Sequence, residues 1–583
     1  MSSHYSKLLA IAVGLMLTTS YMLYLSGFYF GDASKLGEDY VNFFVRMSSA
    51  EFYFRTAGFF HIPWFTPAMC AGGFQFANPI DVTYSIPQLL SLLTNPLVAV
   101  YLTHALFVLL GGIGTYLLAT TAPFRLSIWP AIATATMFAL NGFFMAHMIT
   151  GHLNFHTFML LPFIAWLLLQ NRSSASVVAG AIAAVVVVGG GAHLVIPVGI
   201  SILSIVLLAR QFKAGPKATD MATAISLSCS VALSLSAAKL MAGYSLLSNF
   251  PRSLYELQGI TTVAASVWTP LTNFFWDVSV PSQTHGNWLL GSHEYELSLS
   301  PFVLPGFVIA LWIGIKSYPR SLLRYSVLMA PLVALIILVN FYQPAWHEIL
   351  KQLPIVSNSI SLFRWYASFL LLGALIAGMG IQRLPAKWII TMSVIIIIGT
   401  SGWQVFSEPP WKTLPKVDYT TILAGLESSR LEGITPITTL AVNTNGSGET
   451  LKIHTASDVK FTRGESQIFC YEPILGYRAE RLNIDNLRIG AVTTRIGNEL
   501  NMKNPACYLF PQENQCAAGD NFTLAQTEQM LAFTHYRAWP FEQPTYQSLA
   551  NWASLFSWIA LSIFLLWLAV STIRRKARLN SST

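Results

Sequence analysis

Five groups of residues in this chain have types and spacing that could carry chemistry. The first is Asp39, flanked by Glu38 and Tyr40 at the start of an aromatic stretch, with Asp32 close by. A carboxylate at a membrane interface can take the proton of an attacking hydroxyl as general base, an effect worth roughly 10²–10⁴-fold; the plain alternative is a solvated loop acid. The second is the loop from Pro63-Trp64 through Cys70-Ala71-Gly72-Gly73 to Asn78-Pro79. Its glycine pair permits close backbone approach and its prolines fix turns, for a substrate or simply to lie over helix ends. The third is GHLNFH, with His152 and His156 four apart and His147 just before. On a helix such a pair could bind a metal, but no third ligand of suitable spacing is evident and HExxH is absent, so the reading is a polar cavity lining with no metal ligands assigned. The fourth, Gly291-Ser292-His293-Glu294-Tyr295-Glu296, offers carboxylates to sugar hydroxyls, or is a polar helix entry. The fifth is Arg364 in LFRWY, an arginine in an apolar setting that calls for an anionic partner. Its guanidinium matches phosphate bidentately, and a loop acid would serve equally. Lys239, inside an apolar segment, is a weaker candidate of the same kind that can snorkel instead.

The elements that must position these residues are membrane helices. The chain has 583 residues, 54% hydrophobic and only 10% charged, with mean hydropathy +0.53. A soluble domain carries roughly 25% charged residues. The net charge of +8 lies in small groups between apolar spans, the pattern of membrane orientation rather than of a nucleic-acid groove. Leu8 to Tyr29 is long enough to cross the hydrocarbon core, and no convincing small-x-small site marks it as a cleaved signal peptide. Further candidate spans fall near 97–119, 128–148, 155–170, 175–190, 192–209, 221–243, 299–316, 325–341, 361–382, 388–405 and 551–573, twelve in all. Connections on every second side hold Arg125, Arg172, Arg210 with Lys213 and Lys217, Lys316 with Arg320 and Arg324, Arg383 with Lys387, and the terminal Arg574 to Arg578 cluster; Asp220 is the one acid among them. That alternation predicts a multi-pass membrane protein with both termini in the cytoplasm.

The opposite face then receives the 30–84 loop, the His147–His156 turn, the 245–298 and 343–360 loops and the polar 406–550 block. All the candidate chemistry lies outside, which points to a lipid-carried substrate and away from soluble nucleotides. Val41 to Phe60 reads as an amphipathic segment suited to the membrane surface. Within 406–550, ITTLAVNT and LKIHTA alternate apolar and polar residues around NGSGE, predicting a hairpin, and VKFTR alternates likewise. Cys507 and Cys516 are expected to pair, with Cys470 unpaired or competing. The expected fold is a polytopic α-helical membrane protein of about twelve transmembrane helices with a small extracytoplasmic β-rich or α+β domain before the last helix. Its parts are a membrane module (1–405), the outer domain (406–550) and a last helix with basic tail (551–583).

As a set, these residues resemble the YfhO-type bacterial membrane proteins of the GT-C superfamily of polyprenyl-phosphate-sugar-dependent glycosyltransferases. The resemblance is carried by Asp39-Tyr40 after the first helix and by the Trp64 to Asn78-Pro79 loop. NGFFMAHMITGHLNFHTFMLLPF, HEYELS and LFRWYASFLLLGALIAGMG extend it over most of residues 1–382, and FCYEPILGYRAE looks like the outer domain of a subset of such proteins. The resemblance implies a GT-C-like fold, a polyprenyl-phosphate sugar donor and a glycan or lipid acceptor at the bilayer, with no nucleic acid. It puts the catalytic base on Asp39, open by one position because Glu38 precedes it, and a donor-phosphate contact on Arg364. Tyr40, Glu38, Trp64, Asn78, His152, His156, Glu294 and Tyr295 are the remaining expected substrate contacts. No cofactor follows with certainty: some superfamily members need a divalent metal and others do not, and no second acidic motif here demands one. The rival readings are a transporter or flippase of a lipid-linked sugar and an assembly scaffold.

Overall fold

A computed structural model describes the chain except residues 1–2, 31–35, 38, 251–255, 277, 282–283, 286–290, 354–355, 414–418, 445–449, 452–457, 470–471, 473–483 and 581–583. Glu38, Asp32 and Cys470 therefore lie outside the described residues. The molecule is dominated by helices. Among the described residues eight are long and apolar enough to cross a membrane: Pro96–Thr120, Ile128–Thr150, Ser173–Ala209, Ala218–Asn249, Pro319–Asn340, Phe363–Gln382, Ala386–Phe406 and Thr545–Arg574. Leu153–Leu169 and Pro301–Ser317 are shorter apolar helices, and the first helix, α1, runs Ser3–Tyr29. The two spans expected at 175–190 and 192–209 meet without a loop. They form one helical stretch broken at Gly190, whose φ of +86° is open to glycine at little cost. A Cβ there would lie 2.5 Å from the Ile80 carbonyl oxygen, so glycine also permits the close approach of the 30–84 loop.

The second helix, α2 (Tyr40–Ala57), corrects an expectation. It does not lie along a membrane surface with one apolar face; every residue from Tyr40 to Phe52 is buried. The reason is that the 406–550 region covers it. Phe44 packs on Tyr419 (5.0 Å between ring centroids), and Phe52 packs on Phe461 and Tyr536 (5.9 and 5.2 Å). A helix with aromatic residues on all sides is stable only when all sides are covered. Polar clamps accompany the rings. Arg430 grips Glu51 with Nε at 2.8 Å and Nη2 at 2.6 Å, and the Tyr419 hydroxyl reaches the Gly37 carbonyl.

The Trp64–Asn78 loop is a buried two-stranded turn, Phe65–Thr66 against Gly73–Phe74. The 406–550 region holds it too. Ala71 N donates to Gln467 O at 2.8 Å, Lys503 N to Ala71 O at 3.0 Å, and the Tyr508 hydroxyl to Gly72 O at 3.0 Å. Residues 406–550 themselves mix helices Thr420–Glu432 and Thr527–Thr534 with two three-stranded sheets. Asn443–Thr444 and Thr450–Leu451 pair antiparallel as the predicted hairpin requires, whereas Asp458–Arg463, containing VKFTR, is a 3-10 helix instead of a strand. Cys507 and Cys516 form a disulfide, Cys70 is also disulfide-bonded, and Cys229 is free.

Candidate active site

Two junctions between chain segments build the site. In the first, Asn141 caps the helix Gly142–Thr150 by accepting from Phe144 N at 2.9 Å. That helix ends at Gly151 in the left-handed conformation (φ +115°), the ordinary glycine C-cap. The reversal folds His152 back on the last turn: its N–H donates to His147 O at 2.9 Å, and the two ring Nδ1 atoms lie 2.7 Å apart. The start of α2 is pressed against this corner. A Cβ on Gly151 would lie 2.5 Å from Tyr40 N and 2.9 Å from Asp39 Cβ; one on Gly37 would lie 2.1 Å from Thr150 O. Gly37 N donates to Ile149 O at 2.8 Å and the Tyr40 hydroxyl to Met148 O at 2.6 Å. Asp39 stands at the N-cap position of α2 but makes no capping bond. Its Oδ2 is instead 3.0 Å from His152 Nε2.

In the second, the short 3-10 helix Ser292–Tyr295, with His293 and Glu294, lies against the 3-10 helix Phe363–Phe369, which opens on Arg364. Arg364 is bidentate on Glu294: Nε donates to Oε2 at 2.5 Å and Nη2 to Oε1. The guanidinium carbon also lies 5.0 Å from the centroid of the Phe155 ring. His293 Nε2 is 3.5 Å from Glu294 Oε1. The two halves meet through the imidazoles, with His293 at 4.9 Å from His152 and 5.7 Å from His147 between centroids. One ligand-capable atom from each of His147, His152, His293 and Glu294 lies within 4.8 Å of all the others. At the cluster the side chains of Arg364 and Asp39 are 29% and 24% exposed, whereas His147 is fully buried.

Its electrostatics follow from this packing. Burial by itself would raise the Glu294 carboxyl, but the charge and hydrogen bonds of Arg364, with help from His293, hold it well below the usual carboxylate range. Burial lowers the His152 imidazole, and the Asp39 carboxylate offsets that only in part. His152 is therefore neutral near pH 7, and its Asp39 contact requires the Nε2–H tautomer. The arrangement can support proton transfer at Asp39, anion stabilisation at Arg364, and coordination of a cation by the imidazoles.

The fold thus brings together Asp39, His152, Glu294 and Arg364 of the residues singled out in the sequence, with Tyr40 just behind them. It places the others elsewhere. Trp64 sits in an aromatic cluster with Phe76, Phe510 and Phe541 (5.2, 6.2 and 5.8 Å). Asn78 is buried and donates to Glu472 Oε1 at 3.0 Å. His156 packs on Phe107 at 4.6 Å with Nδ1 2.7 Å from Leu153 O. Tyr295 packs on Phe363 at 4.8 Å, and Lys239 pairs with Asp81 at 3.7 Å. His147 and His293 belong to the cluster although neither is an expected substrate contact. The one sequence signal for them was adjacency, His147 beside the His152 turn and His293 beside Glu294.

No protein-family model and no curated protein matches the chain. Among solved structures it is similar to the arabinofuranosyltransferase AftD from Mycobacteria, at 12% identity over 76% of this chain and 30% of that chain, with a TM-score of 0.41. It is also similar to the oligosaccharyltransferase of Archaeoglobus fulgidus tethered with an acceptor peptide, at 12% identity over 90% of this chain and 68% of that chain, with a TM-score of 0.39. The chain therefore spans less than a third of the length of AftD.

Proposed function

We propose that this protein is a multi-pass membrane glycosyltransferase that moves a sugar from a polyprenyl-phosphate donor to an envelope glycan or lipid acceptor. The observation that carries the reading is the juxtaposition of the Asp39–His152 pair with Arg364 in one partly open cluster. In this scheme the acceptor hydroxyl gives its proton to Asp39 as its oxygen attacks the anomeric carbon. The bond to phosphate breaks with its electron pair leaving on the phosphate oxygen, where the positive charge of Arg364 stabilises it. Glu294 holds the guanidinium in a fixed orientation for that contact, and His152 orients the Asp39 carboxylate. One base fits a single, inverting displacement. The site would work on the outer face of a bacterial inner membrane with both termini in the cytoplasm. In this reading 1–405 is the catalytic module, and the 406–550 region, packed on the 30–84 loop, contributes to acceptor choice.

Transport of a lipid-linked sugar is the second reading, favoured by the break at Gly190, since transporters bind cargo at discontinuous helices. Both are tested by presenting labelled polyprenyl-phosphate sugar to membranes holding the wild type or Asp39→Asn. Transfer by the wild type and at least 10²-fold less by the variant, at equal expression, supports the enzyme. Near-normal turnover in Asp39→Asn removes its role as base. Faster lipid crossing with no product transfers the case to the transporter.

A further inference from the structure

The polar cluster contains more imidazole than the proposed transfer uses, and its geometry has the features of a metal site. Four donor groups, His147, His152, His293 and Glu294, converge from two chain segments distant in sequence within 4.8 Å. Donor atoms around a tetrahedral ion are about 3.3 Å apart at metal–nitrogen distances of about 2.0–2.1 Å, so small side-chain rotations suffice. His152 already has the outer partner that metal-bound histidines take. Its Nε2–H faces the Asp39 carboxylate at 3.0 Å, which leaves the Nδ1 lone pair directed at His147, 2.7 Å away. Two further ring nitrogens, His147 Nε2 and His293 Nδ1, are buried without a hydrogen-bond partner. Glu294 spends its oxygens on Arg364, but a carboxylate has about four lone-pair sites and can bind an ion as well. The charged side chains at the cluster, Asp39, Glu294 and Arg364, sum to one negative charge, which favours an entering cation.

We propose that His147, His152, His293 and Glu294 bind one divalent transition-metal ion of the zinc type, with Asp39 as the outer carboxylate that orients His152. Three nitrogens and one oxygen select zinc, cobalt or nickel over magnesium and calcium, which take oxygen ligands. The site goes beyond the glycosyl-transfer reading and does not rest on it.

The test uses the full chain purified in detergent, stripped with a chelator and titrated with Co²⁺ or Zn²⁺ alone. Bound metal is read by elemental analysis, Co²⁺ coordination by its visible absorption, and folding by monodisperse elution and thermal melting. The wild type is expected to hold one ion per chain, to give the absorption of Co²⁺ bound by nitrogen, and to gain Tm with Zn²⁺. His293→Asn should lose the absorption and the Tm gain, with at least 10²-fold weaker binding. Asp39→Asn should keep the stoichiometry and weaken binding by about 10–100-fold, as loss of an outer partner does. Where His293→Asn elutes aggregated, Glu294→Gln supplies the ligand-loss variant. A wild type that binds neither ion overturns the proposal, as does retention of full affinity in folded His293→Asn and Glu294→Gln. Preference for Mg²⁺ or Ca²⁺ over Zn²⁺ overturns the assigned metal class.

Discussion

Replacing Glu472 by Gln is expected to loosen the junction between the 406–550 region and α2. The Arg46 guanidinium is buried, donates from Nε to Asn42 Oδ1 at 2.7 Å and from Nη1 to Phe74 O at 3.1 Å, and gives its Nη2 to Glu472. Burial pulls the Arg46 pKa down to about 10 although Asp81 lies near enough to raise it, so the group is already costly to keep charged. Removing one charge of a buried pair costs about 3–5 kcal/mol, because the other is left uncompensated. Here the amide oxygen can still accept a bond, and Asp81 supplies residual field, so the lower end, about 3 kcal/mol, is expected. The assay is chemical unfolding in detergent followed by tryptophan fluorescence, with limited proteolysis of 406–550 as a local readout. Adding Arg46→Met should return much of the loss, with a coupling of at least about 1 kcal/mol in the double-mutant cycle. A loss below about 0.5 kcal/mol for Glu472→Gln, the range of surface substitutions, would refute the argument. So would strict additivity with Arg46→Met.

The corner that places Asp39 is expected to be equally intolerant. Gly151→Ala puts a methyl group 2.5 Å from Tyr40 N at a φ of +115°, so it should cost at least about 1–2 kcal/mol and displace Asp39 from His152. Transfer should fall about 10²-fold, as it does when a reacting group is misplaced by about 1 Å; normal transfer would show that the corner does not position the base. A pH effect belongs to Lys503, which is buried in the 406–550 region and donates to Gly519 O at 2.8 Å. Burial, offset in part by Glu499, lowers its pKa from 10.5 to about 8. Between those values the unfolded chain holds the proton and the folded chain has lost it, so this group makes stability rise with pH across that window. The gap is worth at most about 3 kcal/mol at 1.36 kcal/mol per pH unit. The stability difference between wild type and Lys503→Met should change with pH by that order between pH 8 and 10, and a flat difference would contradict the assignment.

Much of the helical frame is legible in the sequence because crossing a membrane constrains composition directly. Pro96–Thr120 and Ala218–Asn249 show as long apolar runs, since a backbone in hydrocarbon must satisfy its own hydrogen bonds in a helix. Asp39, His152, Glu294 and Arg364 stand out for a related reason, as polar groups amid apolar neighbours that need partners. The partners themselves are another matter. Glu294 and Arg364 read separately as sugar and phosphate contacts, with an unspecified ion pair as the plain alternative, and only packing made them partners. The His152 turn showed no third group of metal-binding type at local spacing because the third imidazole of the cluster, His293, comes from a distant loop. Val41 to Phe60 read as a surface helix because a sequence shows which side chains are apolar but not how many sides another part of the chain will cover.

By itself, then, the sequence determined where apolar helices form and which residues are too polar for their surroundings. Only the tertiary structure decided that α2 is enclosed by the 406–550 region and that three loops deliver imidazoles and carboxylates to one point. The physical reason is range. Helix formation is settled by neighbours within a few residues, whereas burial and ion pairing depend on surfaces that meet only after the chain has folded.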